Sequence, residues 1–178
     1  PVRDDSLLAQ IPKELEVVKT PIWEPYGWYK KFTGRKASEK IYSGFINEGE
    51  GTSLTQKLSV FIRGNFFIPD ARKFWIKPSI RFLKQYLAKH PVDAIISTGP
   101  PHSMHLIAMA LKEHFDLPWI ADFRDPWTQI DFYEQLQLTR WADRRHHSLE
   151  KKVLQKADRV VTVGWHIAEQ LGRIRGKQ

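Results

Sequence analysis

The chain has 178 residues, 42% of them hydrophobic and 27% charged, enough for one domain with a core of its own. It has no cysteine, which excludes disulfides, cysteine-ligated zinc and thiol catalysis, and no apolar run in it approaches the roughly 20 residues of a membrane-spanning helix. A net charge of +8 and a pI of about 9.7 attract polyanions, whether nucleic acid, anionic lipid headgroups or phosphorylated substrates, without choosing among them.

The chain opens at Pro1 rather than Met and shows no signal peptide; the expectation is a segment cut from something longer. Residues 1–70 read as irregular, rich in Pro, Gly and aromatics. Within them residues 15–19 predict a short strand, stopped by Pro21 because proline cannot keep donating to a ladder. Glycines at 27, 34, 44, 49 and 51 mark a long loop over residues 26–52. Leu54, Leu58, Phe61 and Ile62 recur at helical spacing and predict one apolar face of an amphipathic helix. A second helix is expected within residues 71–90, at least from Pro78, whose missing N–H costs nothing in a first turn. Ile80, Leu83, Tyr86 and Leu87 are its buried stripe.

From Val92 the rhythm is regular. Residues 93–97 predict a strand, residues 98–102 a turn, and Ser103 the N-cap of a helix to about His114. Residues 118–122 predict a strand and residues 123–131 a loop. A long amphipathic helix follows over about residues 136–156, then a strand over residues 159–163 and a helix over about residues 166–171. This alternation predicts an α/β fold, a Rossmann-like parallel sheet with helices on both faces, and the near-continuous apolar strands agree with it. Residues 1–178 therefore read as a single partial domain. Its irregular part, residues 1–70, carries one strand and one helix, and residues 71–178 are the regular α/β part.

Ligands of open α/β sheets gather at the carboxyl ends of the strands, and three segments lie at such ends. In Ser97-Thr98-Gly99-Pro100-Pro101-His102-Ser103, Gly99 allows a tight turn and close approach of a ligand. The helix start at Ser103 offers N–H groups to an anion, and His102 can donate, accept or carry a proton. A rigid Pro-Pro turn with a helix cap and a surface histidine fits the same residues. In Asp122-Phe123-Arg124-Asp125-Pro126-Trp127, crowded charges among aromatics can shift a carboxylate pKa, and Arg124 can grip carboxylate or phosphate with its forked donors. An internal ion pair stiffening the loop is the alternative. In Val163-Gly164-Trp165-His166, a helix cap at Gly164 and a core Trp165 account for the pattern.

No metal site is expected. His146 and His147 are adjacent and point apart on a helix, and His102 and His105 have no acidic or cysteine partner nearby. The chain also lacks the phosphate-binding, dinucleotide, zinc-protease and nucleophile-elbow motifs. Arg72, Lys73, Phe74, Trp75, Ile76 and Lys77, with Arg81 and Lys84, form a basic aromatic stretch. It suits a solvated basic face first, then an anionic membrane surface or nucleic-acid phosphates.

The run VDAIISTGPPHSMHLIAMALKEHFDLPWIADFRDPWTQIDFY, followed by KADRVVTVGWHIAEQL, resembles the N-terminal domain of retaining glycosyltransferases of family 4, which have the GT-B fold. The upstream NFFIPDARKFWIKPSI is similar to the same family, and STGPPHS with WIADFRDPW is the most specific part. The resemblance implies sugar transfer from a nucleotide-diphosphate donor to an acceptor hydroxyl with retention, the donor being held by a second domain and no metal or other cofactor being needed. Arg124 and Asp125 then occupy the place of a His-Asp pair found in many relatives, and are the expected catalytic residues. Gly99, His102, Ser103 and Asp122 are expected at the substrate cleft, and Gly164 stands where relatives often have Ser.

The implied partners are the nucleotide sugar and a glycan or lipid-linked acceptor, in envelope polysaccharide synthesis. Nucleic acid is not expected on this reading. The implied location is the cytoplasm, at the inner face of the cell membrane. The family's first β-α-β segment and its donor domain are not recognisable here, so the chain alone is expected to be inactive. The strand at residues 93–97 is then expected at a sheet edge open to pairing with another chain, so that a rearranged sheet, a swapped dimer or residues outside this sequence are the expected outcomes. The rival reading is a non-enzymatic basic module binding anionic membrane or nucleic acid.

Overall fold

The computed structural model describes Pro12, residues 15–20 and residues 54–176. Among them the elements are, in chain order, α1 (Leu54–Phe66), α2 (Lys73–Leu87), β1 (Ile95–Gly99), α3 (Ser103–Phe115), β2 (Trp119–Phe123), a 3-10 turn (Tyr133–Leu136), α4 (Arg140–Lys156), β3 (Arg159–Thr162) and α5 (Trp165–Arg175). The strands form one parallel sheet in the order β1-β2-β3. Parallel neighbours need crossover connections, which α3 and α4 supply. The fold is the α/β, Rossmann-like one that the sequence predicts.

The pleat sends alternate side chains to opposite faces. On β2, Trp119, Ala121 and Phe123 are buried, while Ile120 and Asp122 between them are half-buried. Ala108 of α3, Leu149, Val153 and Leu154 of α4, and Leu171 of α5 close over that inner face. Full burial of Phe123 or Leu154 contributes about 1.5–3 kcal/mol each, so this cluster sets which face of β2 turns inward. The outer face carries Ile96, 71% exposed, and Val161.

Several boundaries differ from the sequence reading, each for a local reason. β1 runs through Thr98 and Gly99, expected in the turn, because both pair with β2. Residues 15–20 form no strand; a strand needs a ladder partner, and this segment is held to α2 by side chains instead. α2 lies within the expected residues 71–90, but it starts at Lys73 and carries Pro78 in its interior rather than in its first turn. Asp70 initiates it, accepting from the N–H of Arg72 through Oδ1 and from that of Lys73 through its carbonyl. Leu58 is exposed, so the stripe of α1 is not wholly inward. The long helix expected over residues 136–156 is broken at Gln137, which is left-handed with φ 51°. Thr139 then caps α4, its hydroxyl accepting from Ala142 N at 3.2 Å. Trp165, read as core, is 93% exposed. The loop expected over residues 26–52 lies outside the described residues.

Candidate functional site at the carboxyl rim of the sheet

Thr98 stands opposite Asp122, and Gly99 opposite Phe123. Both strands therefore leave the sheet at one rim, and the turns that follow them meet there. The N–H of Arg124 donates to the carbonyl of Gly99 at 3.0 Å, carrying the ladder past the end of β2. The Arg124 side chain then reaches across, and its Nη2 donates to the carbonyl of Pro100 at 2.6 Å. A guanidinium has five N–H donors, and this bond uses one of them. Arg124 and Asp125 are both exposed. Thr98 Oγ1 donates to Asp122 Oδ2 at 2.8 Å on the outer face of the sheet. Among the described residues no ion pair joins Arg124 to Asp122 or Asp125. The Arg124 end of the loop is held through a backbone carbonyl rather than through a carboxylate.

The far end of the same loop is anchored to α4. Trp127 Nε1 donates to His146 Nδ1 at 3.1 Å. Thr128 donates to Glu150 twice, from its hydroxyl at 2.5 Å and from its N–H at 3.4 Å. Arg124 and Asp125 thus sit on a span held at both ends.

The β1–α3 turn is built inward. His102 is 8% exposed and lies flat on the Trp127 indole, ring centroids 4.7 Å apart and planes 1° from parallel. Ser103 is fully buried. The N-cap of α3 is His102, one residue before the expected Ser103, which is instead the first helical residue, and the Ser103 N–H donates to Asp70 Oδ2 at 2.7 Å. The anion that this helix start attracts is therefore the protein's own carboxylate. A β-carbon built on Gly99 would stand 2.5 Å from Nε2 of His105 and 3.2 Å from Nδ1 of His102. Glycine is required there by the histidines packed against it. Trp119 Nε1 donates to Ser97 Oγ at 2.8 Å, and Ser97 Oγ shares a hydrogen bond of 2.8 Å with His105 Nδ1.

A family model described as "Glycosyl transferase 4-like domain" matches residues 67–178. The chain belongs to that family. No curated protein and no solved structure matches it.

In this glycosyltransferase 4-like domain the residues singled out by sequence divide into two groups. Asp122, Arg124 and Asp125 lie at or beside the accessible rim, whereas Gly99, His102 and Ser103 lie beneath it. Burial lowers the His102 pKa to about 3, with neighbouring His105 and His146 adding to the effect, and burial lowers that of His105 to about 4. Both rings are neutral near pH 7, so His102 supports the rim as a stacked neutral ring. The third strand end adds Val163 and Trp165, both exposed, with open space around Gly164. Among the described residues no group of three or more His, Cys, Asp or Glu side chains is placed to hold a metal ion. His146 is buried against Trp127, while exposed His147 bonds to Asp143.

The glycosyltransferase 4-like domain also uses residues that the sequence did not single out. Asp70 caps α3 from a distant part of the chain, and no local pattern announces it. Glu150 sits in a helix dense with charge, where nothing marks it as buried. The spacing of Trp127 and Thr128 from His146 and Glu150 gave no signal, because the contact forms only when α4 folds back over the loop.

Proposed function

We propose that this domain is the acceptor-side half of a retaining glycosyltransferase, acting with a separate donor-binding domain. The observation that carries the reading is the Arg124 bridge. Its backbone bonds to Gly99 at the end of β1 and its side chain to Pro100 in the turn that follows, which fixes Arg124 and Asp125 at the carboxyl rim, in a glycosyltransferase 4-like domain. In the reaction, the bond between the anomeric carbon and the diphosphate oxygen breaks. The acceptor oxygen bonds to the same face of that carbon, and the acceptor proton leaves with the departing diphosphate or through a carboxylate. The remaining Arg124 donors suit phosphate oxygens whose charge grows as the bond breaks. The Asp125 carboxylate suits an acceptor hydroxyl, accepting its hydrogen bond and orienting its oxygen. Gly99, His102 and Ser103 support the cleft from below, Asp122 flanks it at the rim, and exposed Val163 and Trp165 offer an apolar border for a sugar or for the donor domain.

The assay is incubation of the intact polypeptide that carries this domain with a panel of nucleotide-diphosphate sugars and polysaccharide or lipid-linked acceptors. Release of nucleotide diphosphate with a product of retained anomeric configuration, read by NMR, supports the proposal. An inverted product, or no turnover of any donor, counts against it. A role in envelope polysaccharide synthesis at the cytoplasmic side of the cell membrane belongs to the same proposal, by analogy with the family. Glycan composition in cells lacking the protein tests that role. β1 is an outer strand of the described sheet, with Ile96 exposed, and a second copy pairing along it is the assembly proposed. A monomeric mass by light scattering would remove the dimer.

A further inference from the structure

Helix α2, with the sequence KFWIKPSIRFLKQYL, contains no Asp or Glu. Helical spacing places Phe74, Lys77, Pro78, Arg81, Phe82 and Gln85 on one side, and all six are exposed. The opposite side packs on α3. This outward face is divided along its length. Lys77 and Arg81, with Lys73 and Lys84 beyond them, form a cationic border. Phe82 forms the other border, stacked on Tyr86 with ring centroids 5.9 Å apart.

Residues 15–20 extend the apolar border. The Tyr86 hydroxyl donates to Glu16 Oε2 at 2.5 Å, and Trp75 Nε1 donates to Thr20 Oγ1 at 2.7 Å. Trp75 and Tyr86 neighbour Phe82 on the helix surface, so the segment lies along the aromatic border. It leaves Leu15, Val17 and Val18 exposed to solvent. Glu16, the acidic side chain of this segment, is engaged by Tyr86.

Cations beside aromatic and aliphatic groups match the boundary of an anionic bilayer, where headgroups take the charges and the acyl region takes the apolar side chains. Single-stranded nucleic acid would use the cations and could stack on the rings, but it offers nothing for Leu15, Val17 and Val18. We infer that this face, α2 with residues 15–20 beside it, docks the domain on the surface of an anionic lipid bilayer. The inference rests on charge and exposure, and it stands whether or not the domain transfers sugar.

The test is co-sedimentation of the full chain with vesicles of phosphatidylcholine alone and of phosphatidylcholine mixed with phosphatidylglycerol. Binding is expected to the mixed vesicles only. The pair Lys77→Glu and Arg81→Glu weakens it by about tenfold or more, since each juxtamembrane cation contributes separately. The pair Phe82→Ser and Val17→Ser weakens binding but keeps its dependence on salt. The pair Lys151→Glu and Lys152→Glu, equally exposed on α4, leaves it unchanged. Unaltered circular dichroism shows that each variant is folded. No vesicle binding, equal binding to neutral vesicles, an equal loss from the α4 pair, or tighter binding of a single-stranded oligonucleotide than of mixed vesicles overturns the inference.

Discussion

The imidazole of His105 lies so close to Gly99 that a β-carbon built on the glycine would stand 2.5 Å from Nε2. His105 is fully buried and is tethered through Nδ1 to Ser97, which also takes a bond from Trp119. It has no room to withdraw. Gly99→Ala is therefore expected to destabilise the fold by about 1–3 kcal/mol, the usual cost of overpacking a filled core. Urea unfolding checks this, with Gly172→Ala, where nothing lies within 4 Å, as the companion variant. A Gly99→Ala midpoint equal to wild type would show that the histidines do not dictate the glycine.

The two buried histidines link stability to pH. In the unfolded chain each takes up a proton near the ordinary 6.5, whereas in the fold His102 does so only near 3 and His105 only near 4. Their folded pKa values are depressed, so the stability they support is complete above pH 6.5. It falls as pH drops from there toward 4 and 3. Within that window the slope is ~1.4 kcal/mol per pH unit for each group. Thermal melts between pH 7 and pH 4 are expected to fall with acid, and less steeply in His102→Gln. Identical slopes in the two proteins would contradict the assignment.

Glu150 behaves in the opposite sense. It is fully buried, and burial raises its pKa, with the Thr128 bonds pulling the other way. A raised carboxyl contributes most when protonated, and its contribution is lost as pH rises through the folded value. Glu150→Gln keeps an oxygen for the Thr128 N–H and removes the buried charge. It is expected to melt higher than wild type at pH 8, with the gap closing at pH 4. A variant less stable than wild type at pH 8 would mean that the carboxylate charge is itself stabilising.

The order of elements from Val92 onward was legible because strand and helix periodicities alternate there and apolar strands mark a sheet covered by helices. Boundaries shifted where pairing or capping overrode local pattern. Thr98 and Gly99 look like a turn by composition, yet β2 offers both of them partners. Gln137 interrupts an apolar rhythm by adopting a left-handed conformation that Thr139 then exploits as a cap. At the candidate site, Gly99, His102 and Ser103 were visible as a motif, but their burial was not, because it depends on Asp70, His105 and Trp127 arriving from elsewhere in the chain. Trp165 was misread for the converse reason. An aromatic residue after a strand is ordinarily core, and here it sits at the open rim.

Arg124 and Asp125 are exposed on a loop fixed at both ends, so truncating them is expected to spare the fold. The deciding measurement is kcat/KM for sugar transfer by the intact polypeptide with Arg124→Ala and with Asp125→Ala, each checked for an unchanged melting temperature. A loss of roughly a hundredfold in each is predicted, the scale for removing a group that stabilises charge in the transition state. Wild-type transfer by both variants would contradict the placement of the site at this rim.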